Sequence, residues 1–340
     1  MKHDMAWDPV ADLIQSLQSM RSMFLSAFCR SNASSFSLAP TTLAGLSPWL
    51  AEARSHPFVF AGFAGVALML GSSFFIGLSQ LAASGLWQQA LTGGMAGFVS
   101  TALGASVAVG LRRISEKSQD LMLGFAAGMM LAASAFALVL PGLAEGRVVT
   151  GSGPMAALLV ALGLGLGLLF MLGLDRLTPH SHEQAGACGP GCERLGRVGL
   201  FVLAIAIHNI PEGMAIGVGF GQGDLGVGVS LTSAISMQNI PEGLVVALAL
   251  RSAGLSTTWA VLIAMATGLM EPLGAVVGFV VANGYAWAYP VSLGLAAGAM
   301  LFVVSHEVIP ETHRRGHQTT ATMGLMAGFA TMIFLDAALA

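Results

Sequence analysis

The sequence predicts an all-α membrane protein, and three of its features carry that reading. Only 9% of the 340 residues are charged while 55% are hydrophobic, against about 25% charged in a soluble chain. Uncharged stretches recur at about 20 residues, the length a helix needs to cross a hydrocarbon layer ~30 Å thick. The basic residues gather on alternate connections between those stretches, the pattern left by retention of Lys and Arg on the cytoplasmic side.

Residues 1–56 are mixed in character, with a Ser-, Ala- and Pro-rich run from Ser31 to Pro48, and read as a cytoplasmic, partly disordered extension. No charge occurs between Ser55 and Leu111, and the polar interruption from Ser79 to Thr92 divides that stretch into two spans, the first at 58–79. Residues 57–92 thus read as one N-terminal membrane helix with its loop, ahead of the spans within 93–340. Further spans are predicted at 120–143, 154–174, 198–220, 227–250, 257–282, 286–308 and 320–339, nine in all. An odd number puts the two ends on opposite sides. With the N-terminus cytoplasmic, Arg147 alone of the 14 basic residues falls outside, and the C-terminus is periplasmic. The opening Met1-Lys2-His3-Asp4 lacks the basic-then-apolar layout of a cleaved signal, so the helices themselves direct insertion. A net charge of -3 argues against a nucleic-acid partner, and Cys29, Cys188 and Cys192 give no disulfide framework.

Two internal echoes organise the spans. His208-Asn209-Ile210-Pro211-Glu212-Gly213 returns as Gln238-Asn239-Ile240-Pro241-Glu242-Gly243 on the next span. Gly124-Phe125-Ala126-Ala127-Gly128-Met129-Met130-Leu131 is matched by Gly294-Leu295-Ala296-Ala297-Gly298-Ala299-Met300-Leu301. Each pair lies on oppositely directed helices, so the echoes predict an inverted repeat, a transporter architecture whose site sits near the midplane where the repeats meet. The Gly-x-x-x-Gly steps at Gly124 and Gly294 read as close helix packing.

The ionisable residues inside the spans are His208, Glu212, Glu242, Glu271, His306 and Glu307. A charge at the bilayer centre costs about 2.5–3.5 kcal/mol on insertion scales, so three deep carboxylates need a partner, and a cation supplies one. His208 and Glu212 share a helix face at i, i+4, and Gln238 and Glu242 repeat that spacing opposite. Imidazole with carboxylate suits zinc and other first-row divalent ions, whereas calcium or magnesium would be held by oxygen alone. One Pro-kinked helix with one Glu is more often a packing feature, but the duplicated motif favours a metal site. Pro211, Pro241 and Pro272 free the carbonyls of Ile207, Met237 and Gly268 beside these residues, and such breaks are tolerated where they line a cavity.

Met130 taken alone reads as a core residue. His306-Glu307 fits an interfacial polar pair as well as an exit ligand. The cytoplasmic loop 175–197 holds His180, His182, Cys188 and Cys192 without the spacing of a structural zinc module, and reads equally as a metal-catching loop or a linker.

From about Gly93 to Ala340 these residues resemble the prokaryotic branch of the ZIP (Zrt-/Irt-like) family of divalent-metal transporters. The likeness is strongest at the two Asn-Ile-Pro-Glu-Gly motifs, at Met270-Glu271-Pro272-Leu273-Gly274, and at Ser305-His306-Glu307-Val308-Ile309-Pro310-Glu311-Thr312-His313. The resemblance implies an eight-helix core in a 3+2+3 inverted-repeat arrangement, with the span at 58–79 additional. It implies one metal position formed by Met130, His208, Glu212, Gln238 and Glu242, and a second by Asn209, Glu212, Asn239, Glu242 and Glu271. Zinc or cadmium is then the cargo rather than a cofactor. A homodimer in the bacterial inner membrane is expected, moving ions toward the cytoplasm by an elevator-like slide. Relatives often carry Asp where this chain has Asn239, so the second position lacks a formal charge. At the outer entrance Ala144 is followed by Glu145, leaving Glu145 or Asp336 as the acidic candidates.

An intramembrane metalloprotease would also bury His and Glu around zinc, but His306-Glu307 lacks the second His of a His-Glu-x-x-His motif, so no enzymatic activity is expected. A metal-gated channel or a metal-sensing receptor is compatible with the same residues.

Overall fold

The computed structural model describes residues 61, 64, 65, 67, 68, 71–78, 85–111, 114–177, 180–182, 186–188 and 197–339. The predicted extension 1–56 and part of the span at 58–79 lie outside the described residues; those of the span that are described, 61, 64, 65, 67, 68 and 71–78, are helical. The protein is an all-α membrane protein, with eight helices among the described residues long and apolar enough to cross a bilayer.

In chain order these are α1 (Trp87–Val107), α2 (Glu116–Thr150), α3 (Gly153–Leu177), α4 (Arg197–Gly219), α5 (Leu225–Ser252), α6 (Thr257–Ala282), α7 (Ala288–His313) and α8 (Gln318–Leu339). Between α3 and α4 the strands β1 (His180–His182) and β2 (Gly186–Cys188) form a short antiparallel hairpin. Local sequence explains several ends. Ser115 caps α2 by accepting from the Ser118 N–H, and Asp224 caps α5 by accepting from the Val227 N–H at 3.1 Å, as short oxygen-bearing side chains do for the first turn's free donors. Helix α2 stops at Gly151, whose φ of 67° suits a residue without a Cβ.

Pro211 and Pro241 have no N–H to give the carbonyls of Ile207 and Met237, yet they do not break their helices. Helices α4 and α5 run without interruption through Pro211 and Pro241. Only α6 divides, into Thr257–Thr267 and Met270–Ala282. Even there the Gly268 carbonyl, expected to be freed by Pro272, accepts from the Glu271 N–H at 3.1 Å. Tightening into three-residue turns reuses the acceptor that proline cannot reach. Helices α2 and α7 take the opposite course and widen into π turns, at Ala133–Val139 and Val304–Val308. Each widened turn lies just before a proline, Pro141 or Pro310, and ends on a bond reaching five residues back, from Leu140 N–H to Ala135 and from Ile309 N–H to Val304.

Four helix pairs pack most intimately: α1 with α5, α4 with α6, α2 with α8 and α3 with α7. Exchanging α1 with α6, α2 with α7, α3 with α8 and α4 with α5 maps these pairs onto one another. The correspondence holds residue by residue. Gly213 faces the Glu271 backbone and Gly243 the Thr101 backbone; Gly274 faces the Ile210 carbonyl and Gly104 that of Ile240; Gly294 faces Val160 and Gly124 faces Ala321. A Cβ at any of these glycines would overlap the facing backbone. The interval from Gly124 to Gly294, read as an echo in the sequence, is also the interval from Gly104 to Gly274 and from Thr101 to Glu271.

The packing leaves two groups of helices. In the first, α1, α4, α5 and α6 bury a cluster that includes Ala105, Ile205, Leu248 and Ile263. The second contains α2, α3, α7 and α8. The main apolar core, with Met129, Leu138, Ile216, Leu231, Phe279 and Leu293, spans the boundary between them.

Candidate metal centre

The polar residues of the repeated motif come together at mid-depth in α4 and α5, beside the divided helix α6. Asn209, Glu212, Gln238, Asn239 and Glu271 are each at most 2% exposed. Gln238 Nε2 donates to Glu212 Oε1 at 3.0 Å, joining the two motifs directly. Glu212 lies within electrostatic reach of Glu242 and Glu271, and Glu242 within reach of His208. Three carboxylates are thus held near one another in a medium that strengthens their mutual repulsion. The i, i+4 spacing sets the faces, and Gly213 and Gly243 allow the adjoining helices close enough for those faces to meet.

Several buried polar atoms at this place have no close hydrogen-bond partner: Asn209 Nδ2, Glu212 Oε2, Gln238 Oε1, both side-chain atoms of Asn239, and Glu271 Oε2, with the Asn239 side chain acting only weakly on the Glu271 carboxylate. Buried polar groups are ordinarily paired, and each exception calls for an explanation. Here four unpaired oxygens on three helices form a donor set suited to a cation. Among the described residues no three His, Cys, Asp or Glu side chains converge as a ready-made metal cluster. The amides of Gln238 and Asn239 therefore have to be counted among the donors.

The remaining candidates are distributed around this centre. Met130 is buried in the apolar core that α2 shares with α5 and α7. The neighbours His306 and Glu307 separate: Glu307 Oε2 reaches His208 Nε2 at 2.6 Å, whereas His306 is exposed and stacks on Phe302 at 4.9 Å. Glu307, which lies within the π turn of α7, is thus a partner of the centre itself. Asp336 accepts from Ser230 Oγ at 3.0 Å, tying α8 to α5, and Glu145 is half-buried on α2. In the β hairpin the backbone register sets His180 opposite Cys188 and His182 opposite Gly186. Cys192 lies outside the described residues.

Sequence reasoning passed over Thr101. Its Oγ1 donates to Glu271 Oε1 at 2.7 Å, and both residues are buried. A lone Thr in an apolar helix commonly bonds its own i−4 carbonyl, and Thr101 also approaches the Gly97 carbonyl at 3.4 Å. The available signal was its interval from Glu271, equal to that of the Gly124 and Gly294 echo.

Comparison with known proteins places this centre in a family context. The family model described as ZIP zinc transporter matches residues 174–336, which include both motifs, Glu271 and His306-Glu307. The zinc transporter ZIPB of Bordetella bronchiseptica is 60% identical over 295 residues, 86% of this chain and 95% of that protein. The zinc transporter GufA of Myxococcus xanthus is 41% identical, covering 71% of this chain and 94% of its own. The human zinc transporter ZIP11 is 31% identical, covering 74% and 97%.

Proposed function

This chain belongs to the ZIP family of zinc transporters, and on that premise we propose that it carries divalent transition-metal ions, zinc and also cadmium, toward the cytoplasm across the bacterial inner membrane. The observation that carries the reading is the group of buried, unpaired oxygens on α4, α5 and α6. Leaving such atoms unpaired costs about 1–3 kcal/mol each, and an arriving divalent ion offsets that cost and the repulsion among Glu212, Glu242 and Glu271 together.

The proposed first position uses Met130, His208, Glu212, Gln238 and Glu242; the second uses Asn209, Glu212, Asn239, Glu242 and Glu271. Both share Glu212 and Glu242, so an ion can pass between them without leaving its anionic ligands. Mixed imidazole, carboxylate and amide donors favour a first-row ion over calcium or magnesium. His306 marks the exit side, Glu145 and Asp336 the outer entrance, and the loop with His180, His182, Cys188 and Cys192 receives ions at the cytoplasmic face. The chain is a carrier, with the ion as cargo and no cofactor, and it works as a homodimer in the bilayer with its N-terminus cytoplasmic and its C-terminus periplasmic.

The 3+2+3 arrangement, α1–α3, α4–α5 and α6–α8, is supported by the paired glycine contacts. Elevator-like movement is supported by the division into two helix groups. Six of the eight proposed ligands belong to α4 and α5 and one to α6, all in the first group, while Met130 belongs to the second. Accumulation of zinc by proteoliposomes containing the purified protein tests the reading. Failure to accumulate zinc or cadmium above empty vesicles, or a bulk ionic conductance in place of saturable uptake, would falsify it.

A further inference from the structure

We infer that Thr101 is a positioning residue for the cargo site, acting through Glu271: its hydroxyl anchors one carboxylate oxygen and so sets the orientation in which the carboxylate meets the ion. The inference rests on the reading of Glu271 as a cargo ligand. Thr101 Oγ1 donates to Glu271 Oε1 at 2.7 Å, while Glu271 Oε2 has no comparably close donor, the Asn239 side chain acting on the carboxylate more weakly. One turn earlier on α1, Gly97 leaves the space that Oε2 occupies, since a Cβ there would overlap that oxygen. Helix α1 thus supplies both the donor for one oxygen and the gap for the other.

The backbones at both ends of this hydrogen bond are held by the motif glycines. Gly243, which follows Glu242, abuts the Thr101 backbone, and Gly213, which follows Glu212, abuts the Glu271 backbone. The bond ties α1 to the divided helix α6, and each of these two packs on one of the helices carrying the shared carboxylates. Thr101 is also the counterpart of Glu271 under the helix exchange described above, so the bond joins a residue to its own counterpart, at the place where the two repeats meet. A glutamate has rotamer freedom to lose when it grips an ion. Settling its orientation beforehand lowers that loss and raises affinity.

The hydroxyl and the methyl of Thr101 can be tested separately. Its Cβ and Cγ2 lie against Gly268, so Thr101→Val keeps the branched shape without the hydroxyl, and Thr101→Ser keeps the hydroxyl without the methyl. Zinc uptake by proteoliposomes, measured against zinc concentration, is expected to show a half-saturation constant about tenfold higher for Thr101→Val, as loss of one hydrogen bond to a charged group predicts. Thr101→Ser is expected near wild type, and both variants should melt within a few degrees of it. Glu271→Gln should weaken uptake at least as much, and adding Thr101→Val to it should bring no further loss, because both act on one group. Wild-type affinity in Thr101→Val, equal impairment in Thr101→Ser, or additive losses in the double variant would overturn the inference. Wild-type affinity in Glu271→Gln removes the ligand role of Glu271, and the inference with it.

Discussion

His208 on α4 and Glu307 on α7 meet at 2.6 Å across the boundary between the two helix groups. The same imidazole is proposed to give its lone pair to the ion, so the cargo competes with a proton that Glu307 helps to hold there. Uptake should therefore fall as the pH drops below about 6, where histidine ordinarily becomes protonated and metal binding must displace a proton. The sign is fixed: acid favours the imidazolium, which Glu307 holds and zinc cannot use. Initial uptake rates between pH 5.5 and 7.5, at a constant zinc gradient, check this; a flat profile would remove His208 from the ligand set.

Glu212→Ala and Glu242→Ala should each reduce zinc uptake at least a hundredfold. Each takes a shared anionic ligand from both proposed positions, and a charged partner lost from a buried group costs about 3–5 kcal/mol. Normal uptake by either variant, with equal amounts of inserted protein confirmed by detergent extraction and gel filtration, would refute the shared-ligand arrangement.

Asn239 lies buried beside the Glu271 carboxylate, with no close hydrogen-bond partner for its side chain. Asn239→Asp should tighten the second position, because unit charges 4 Å apart at an effective dielectric of 20 attract by about 4 kcal/mol before desolvation is subtracted. Tighter retention should also slow release, so the variant is expected to bind more zinc and carry it more slowly. Asn239→Ala should keep one ion on His208, Gln238, Glu212 and Glu242. Stoichiometry by native mass spectrometry decides it: complete loss of binding in the Ala variant, or unchanged occupancy in the Asp variant, counts against two separable positions.

Replacing Gly213 or Gly243 by Val should destabilise the protein by about 1–3 kcal/mol or more, the usual cost of overpacking, since the side chain would overlap the Glu271 or Thr101 backbone. Gly165→Ala, where an added Cβ meets nothing within 4 Å, should stay within about 0.5 kcal/mol of wild type. Thermal denaturation in detergent compares them. Equal melting temperatures for all three variants would show that these close approaches do not hold the helices together.

The membrane spans were legible in the sequence because the bilayer imposes length and apolarity together, and the buried carboxylates because a charge at that depth is conspicuous. Helix ends were less so. Helix α2 continues to Thr150 and α7 to His313, beyond the predicted ends at 143 and 308, because amphipathic final turns look like loops when judged by polarity. The π turns left a signal in Pro141 and Pro310, two residues past each widened segment, but a proline alone does not tell whether the helix will continue, tighten or widen. Pro211, Pro272 and Pro310 take those three courses in turn. Thr101 and the meeting of Glu307 with His208 depend on contacts between distant parts of the chain, for which local composition carries no trace.

The paired glycine contacts have a consequence for direction. The close approaches of the two halves exchange with one another, so packing at these points gives an ion little reason to prefer one way through, although α6 divides and its counterpart α1 does not. The side chains do not share that indifference. The exchange that lays helix upon helix lays His208 on Gln238 and Glu271 on Thr101, setting a titratable base against a neutral amide and an anion against a hydroxyl. The molecule thus has a front and a back drawn in chemistry on close approaches that repeat.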